Sequence, residues 1–229
     1  MTDKLTEENL QAERRASEYL PWVERCIELT GSSKEGKRAI RLRQGLAKPL
    51  VEEALPIGIF AKYHFGEASD ATIRLVLGNQ NFDAEVAGAY AGLEHIEVTQ
   101  AHEGENEHLR MLQLEEKGSV STIGEVHKTG TKATGITIEV ESIALSHTEV
   151  RGNELARVCE AIERKIGKSY PNLTALVVVF DDYISIQDDD DEAALRDAVS
   201  ELLPKLEAFS WLAIVGWSKK TFLEFDLSG

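Results

Sequence analysis

Apolar positions recur at helical spacing through the first fifty or so residues and then give way to short apolar runs. Leu10, Tyr19, Leu20, Val23 and Ile27 form one stripe within residues 4–30, interrupted at Pro21. A break with N-cap chemistry follows at Thr30-Gly31-Ser32-Ser33, after which Ile40, Leu42, Leu46, Leu50 and Leu55 predict a second helix ending near Pro56. These two helices make an N-terminal layer over residues 1–56. From residue 57 the pattern changes: the runs 57–63, 72–77, 82–87 and 95–99 read as strands, with turns at Gly78-Asn79 and over 88–92. Residues 103–117 carry Leu109, Leu112 and Leu114 among charges and stop at Gly118, as a helix with a glycine C-terminal signal does. The β-branched stretch 119–145, around a Gly/Thr/Lys loop, reads as a hairpin insertion. A further helix over 149–168, with Leu155, Val158, Ile162 and Ile166 on one face, feeds the continuous apolar run 176–180. Five apolar residues in a row need cover on both faces, so this run predicts a buried central strand. Acids at 188–191 suit the start of another helix, and 211–217 and 222–227 read as closing strands. The fold class expected is α/β: a central mixed β-sheet flanked by helices, one compact domain with its core over 57–229.

Composition supports a folded globule: 42% of the 229 residues are hydrophobic and 28% charged. Cys26 and Cys159 stand alone, without the paired spacing of a zinc site. The first eight residues are polar and acidic, and no stretch approaches the roughly 18 apolar residues a membrane span needs. Cytoplasmic residence is therefore the expectation. A net charge of −15 argues against a surface that coats nucleic acid all round, since such a field repels phosphate. The charge is unevenly distributed, however. Lys34, Lys37, Arg38, Arg41, Arg43 and Lys48 face a single acid, Glu35, within 34–48. This segment is either a local basic patch or a solvated helix balancing neighbouring acids.

Two acids stand out against apolar surroundings. Asp83 lies in Phe82-Asp83-Ala84-Glu85-Val86, and Glu97 in Ile96-Glu97-Val98-Thr99-Gln100. A carboxylate in a half-buried strand is costly unless it is paired, hydrogen-bonded or bound to a cation. Two of them on adjacent strands make a donor set for a hard divalent ion. The bland alternative is a pair of solvent-facing acids matched to Lys or Arg.

The hairpin with Asp and then Glu, a following helix and another strand resembles the PD-(D/E)XK, or restriction-endonuclease-like, nuclease superfamily over residues 57–185. The segment Ala161-Ile162-Glu163-Arg164-Lys165-Ile166-Gly167-Lys168-Ser169-Tyr170 before the run 176–180 resembles that family's helix and fourth strand. The resemblance implies a divalent-metal-dependent nuclease, with Mg²⁺ or Mn²⁺ on Asp83 and Glu97. The family's lysine, two residues after the Glu, is here Thr99, which cannot supply its charge. Gln100, one residue on, faces the other side of a regular strand and would join the site only through a bulge. Lys165 is the first candidate to replace the missing lysine, with Lys128 and Lys132 next. Nucleic acid would be met by Lys37, Arg38 and Arg41 on the basic helix and by Lys128 and Lys132 on the insertion loop. The alternative is a catalytically inactive nuclease-fold protein acting as a binding or interaction module.

Other motifs carry less. His102 and His108 are six apart and fall on different sides of a helix, unlike a zinc-binding HExxH pair, although His102 or Glu105 could approach a metal on Glu97. The loop 128–135 lacks the order of a phosphate-binding P-loop. Asp181 and Asp182 end the apolar strand and are open to a site or a turn-capping role. Ser146-His147 has no nucleophile-elbow setting.

Overall fold

The computed structural model describes residues 5–67, 69–88, 92–131 and 135–228. The chain opens with helix α1 (Glu7–Leu10), strand β1 (Arg14–Arg15), helix α2 (Ala16–Thr30) and helix α3 (Lys34–Arg41). A longer helix then starts as α4 (Ala47–Pro49), widens into a π turn (Leu50–Ala54) and continues as α5 (Leu55–His64). A meander follows: β2 (Thr72–Leu75), β3 (Ala84–Ala87) and β4 (His95–Gln100). Helix α6 (Glu105–Lys117) ends at Gly118, whose φ of +76° gives the left-handed cap expected from the sequence. Strands β5 (Gly124–Thr131) and β6 (Gly135–Ser142) form a separate two-stranded ribbon. The chain closes with α7 (His147–Glu163), β7 (Thr174–Phe180), α8 (Asp189–Ser200), a 3₁₀ turn (Leu203–Lys205), β8 (Trp211–Gly216) and β9 (Phe222–Asp226).

Seven strands form one mixed sheet in the order β1-β2-β3-β4-β7-β8-β9. The meander pairs antiparallel, β4, β7 and β8 run parallel, and β9 returns antiparallel. Strand β7 lies in the interior of the sheet, between β4 and β8, with every residue buried. Its alternate side chains divide between two cores. Ala175, Val177 and Val179 join α2 and α5 on one face, whereas Leu176, Val178 and Phe180 join α7 and α8 on the other. The molecule is therefore α/β, with helices on both faces of the sheet. Among the described residues, no helix is long and apolar enough to cross a membrane.

Residues 57–63, expected as a strand, are helix α5. Ile57, Ile59, Phe60 and Ala61 are all inaccessible, because α5 lies between α2 and the sheet and is covered nearly all round. A helix buried on every side loses its 3.6-residue stripe and reads like a buried strand. Gly58 permits the close approach: a Cβ there would lie 3.0 Å from Leu20 Cα. The expected second helix ending near Pro56 is also corrected, since α3 stops at Arg41 and the next helix runs through Pro56. Proline near the start of α5 fits because the preceding π turn shifts the hydrogen-bond ladder. Pro21 likewise sits inside α2 rather than breaking it.

Candidate functional site

Strand β4 alternates between the two cores. Ile96 and Val98 join the α2–α5 core. Glu97 and Thr99, in register with Leu176 and Val178, face the α7 side. Both are buried, Glu97 at 9% exposure. Asp83 stands one step before β3, where the antiparallel register sets it beside Glu97: Ala84 pairs with Ile96, and the Asp83 amide donates to the Ile96 carbonyl at 2.7 Å. With β3 not extending to Val98, the Val98 N–H donates instead to Asp83 Oδ2 at 2.7 Å. One carboxylate thus ends the ladder while remaining beside the other.

Lys165 completes the group from the turn after α7. The helix stops at Glu163, short of the expected 168, and Lys165 donates from Nζ to Glu97 Oε1 at 2.5 Å. The pair is largely shielded, with side-chain exposures of 15% and 11%. Burial pushes the Asp83 carboxyl up to about 6 and Glu97 adds to the rise, against the opposing influence of the Val98 N–H and Lys165. Glu53, on the π turn, joins the same field. Burial pushes it up to about 7, Asp83 and Glu52 add to that, Lys48 opposes it, and Glu97 contributes further. Tyr170 packs on Phe209 with ring centroids 4.4 Å apart. Its hydroxyl is pushed up to about 12 by burial, with Glu97 and Asp83 adding. The centre is short of positive charge.

Among the described residues, no three His, Cys, Asp or Glu side chains converge into a metal cage. Two carboxylates still fit Mg²⁺ or Mn²⁺, because Mg²⁺ keeps several waters and is commonly held by one or two carboxylates plus a substrate phosphate. Burial is the main cause of the rise at Asp83 and Glu97 the second, so a cation between the two carboxylates would oppose only the part that Glu97 adds.

Gln100 turns to the opposite face, as a regular strand requires, and its Nε2 donates to the Glu52 carbonyl at 2.7 Å. The α-helical partner of that carbonyl would be the N–H of residue 56, a proline without one. Gln100 therefore props the π turn and does not join Glu97. Lys37 and Arg38 are exposed on α3, whereas Arg41 Nη1 donates to Glu115 of α6 at 2.6 Å. Lys128 lies on the hairpin and pairs with Glu105 at 2.6 Å. Lys132 lies outside the described residues. His102 Nδ1 accepts the Gly104 N–H at 2.7 Å, so neither it nor Glu105 is drawn to Glu97. Asp182 is buried and accepts from the Ser218 N–H at 2.7 Å and from its hydroxyl, a turn-capping role. Ser146 caps α7 in a capping box with Glu149.

Glu53 does not stand out in the sequence, where Glu52-Glu53 looks like any solvated acidic pair. A π turn in an otherwise α-helical segment is the structural signal that reveals it. No family model, curated protein or solved structure matches the chain.

Proposed function

We propose that the chain is a divalent-metal-dependent nuclease related to the PD-(D/E)XK group, hydrolysing nucleic-acid phosphodiester bonds at Asp83, Glu97 and Lys165. The observation that carries the reading is the Lys165 ammonium 2.5 Å from Glu97. It brings to the site the charge that Thr99, at the family's lysine position, lacks. The succession of helix α5, antiparallel β2–β3–β4, helix and β7 parallel to β4 supports the same relationship.

Asp83 and Glu97 would hold Mg²⁺ or Mn²⁺. Such an ion would supply positive charge at the scissile phosphate and make water a better nucleophile. Lys165, anchored on Glu97, presents N–H donors where charge develops on the phosphate and orients the attacking water. Glu97 holds that lysine in place. The Val98 N–H fixes the Asp83 carboxylate, so the second ligand is oriented before any ion arrives. Above about pH 7, where its carboxyl is ionised, Glu53 adds negative charge at the edge of the centre and favours cation uptake.

The test is incubation of purified protein with single-stranded DNA, double-stranded DNA and RNA in Mg²⁺ or Mn²⁺. Cleavage is expected with metal, none in chelator, and none from Glu97→Gln, which retains side-chain volume while losing the ligand charge. Cutting that persists in chelator or in Glu97→Gln would remove the metal centre from the reaction. Absence of cleavage on all three substrates would favour the binding-module alternative.

A further inference from the structure

A large cavity opens next to the Asp83–Glu97 centre, at the C-terminal ends of β4 and β7, between α3, α6 and α7, with a volume of about 630 Å³. Strand β4 joins the two places: Glu97 belongs to the centre and Gln100 to the cavity wall, about 10 Å further on at roughly 3.3 Å per residue.

The cavity has a charged floor, an apolar wall and a cationic mouth. On the floor, the Glu103 carboxylate bridges Arg110 and Arg157, and Arg157 also holds Glu154 Oε1. Arg110 is 4% exposed and Glu154 7%. Both line the cavity, and each has a buried polar atom with no hydrogen-bond partner among the described residues: Arg110 Nε, a donor, and Glu154 Oε2, an acceptor. Buried polar groups are ordinarily satisfied, so a spare donor and a spare acceptor on one floor point to a ligand that brings both. Burial pushes Glu154 up to about 7, Arg157 opposes this, and Asp181 and Glu103 add to the rise. A donor to Glu154 would relieve that cost. Trp217 and Ile184 offer an apolar surface for a flat ring. At the mouth, Arg43 and Lys48 share Glu52 at 3.8 and 4.0 Å, looser than hydrogen bonds; Arg43 Nη1 also donates to the Ile40 carbonyl at 2.8 Å, so Lys48 turns to an anion more freely while Arg43 offers its remaining N–H groups.

We propose that this cavity binds one nucleotide, whose base is read by Glu154 and Arg110 and whose phosphate is met by Arg43 and Lys48. An aromatic ring carrying donor and acceptor edges on an anionic stem has the required chemistry, and the volume lies within the usual range for such ligands. A spare acceptor beside a spare donor favours bases with an exocyclic amino group, adenine, cytosine or guanine, over uracil. Uracil's single ring N–H is flanked by two carbonyls that the ionised Glu154 carboxylate repels, so the discrimination is expected above about pH 7, where that carboxyl has lost its proton. The nucleotide is either a free monophosphate or an unpaired residue of a bound strand. Only the second source rests on the nuclease proposal.

Calorimetric titration in chelator, where no metal-dependent cleavage occurs, tests the site separately from the reaction. Cytidine and guanosine monophosphates are expected to bind saturably, about tenfold or more tighter than uridine monophosphate. Glu154→Gln should erase the preference of cytidine over uridine, and Arg43→Ala with Lys48→Ala should weaken both nucleotides alike. Oligouridine carrying one cytidine, compared with oligouridine alone and competed with cytidine monophosphate, identifies the source. Preferred binding of the cytidine strand marks a strand residue, and binding of the monophosphate alone marks a free nucleotide. Failure of cytidine and guanosine monophosphates to saturate wild-type protein at millimolar concentration, or equal binding of uridine monophosphate, overturns the proposal without requiring any variant to fold. A preference that survives Glu154→Gln in folded protein overturns it as well. Nucleotide binding without cleavage would defeat only the nuclease proposal, and cleavage without nucleotide binding only this one.

Discussion

Glu53 shows how a single carboxyl links stability to the charge of the centre. Its folded-state pKa is raised to about 7 from an ordinary 4.5, so the folded protein holds a proton that the unfolded chain has lost between those values. The stabilisation from that proton is complete below about 4.5 and is lost as the pH rises through about 7. Glu53→Gln, which is neutral throughout, should therefore overtake wild type on going from pH 4.5 to pH 8, by on the order of 1 kcal/mol in urea unfolding. A gap between the two that does not widen with pH would show that Glu53 is not under this strain. At the same scale, Asp83 and Glu97 were legible because an acid in an apolar strand stands out against its neighbours. Lys165 was legible as a lysine at a helix end, but its ion pair depends on where α7 stops. Glu154 and Arg110 were not legible, because charged residues on amphipathic helices look solvated until the elements around them are assembled.

Helix α5 reads as a strand in the sequence while the strands after it read correctly, for one physical reason. Strands β2, β3 and β4 are punctuated by glycine turns and keep polar positions at their ends. Helix α5 has no exposed face long enough to show a helical stripe, and Pro56 beside Gly58 looks like punctuation. Gly58 is where the helix layer is most sensitive. Gly58→Val would drive a side chain into Leu20, whose Cα is already 3.0 Å from the position of a Cβ. The expected loss is about 1–3 kcal/mol, seen as a lower urea midpoint with unchanged slope. An unchanged midpoint would mean that α2 and α5 can separate at little cost. The edge pairing of β1 with β2 also escaped the sequence, since two arginines carry no strand pattern.

At the scale of the whole molecule, a net charge of −15 bears on the polyanionic substrate proposed above. Arg41 and Lys128 are tied to α6 by Glu115 and Glu105, while Lys37 and Arg38 remain exposed on α3. If α3 meets the phosphate backbone, Lys37→Ala with Arg38→Ala should weaken binding to all sequences. It should also flatten the salt dependence by roughly 0.9 in the logarithmic slope for each duplex phosphate that the helix no longer neutralises. An unchanged slope would make α3 a bystander. The most direct measurement of the central claim is a lysine exchange read as metal-dependent cleavage rate. Lys165→Ala should lower the rate about 100-fold or more, and adding Thr99→Lys in that background should restore a substantial part of it. A Lys165→Ala protein that cuts as fast as wild type in Mg²⁺ or Mn²⁺ would contradict the claim.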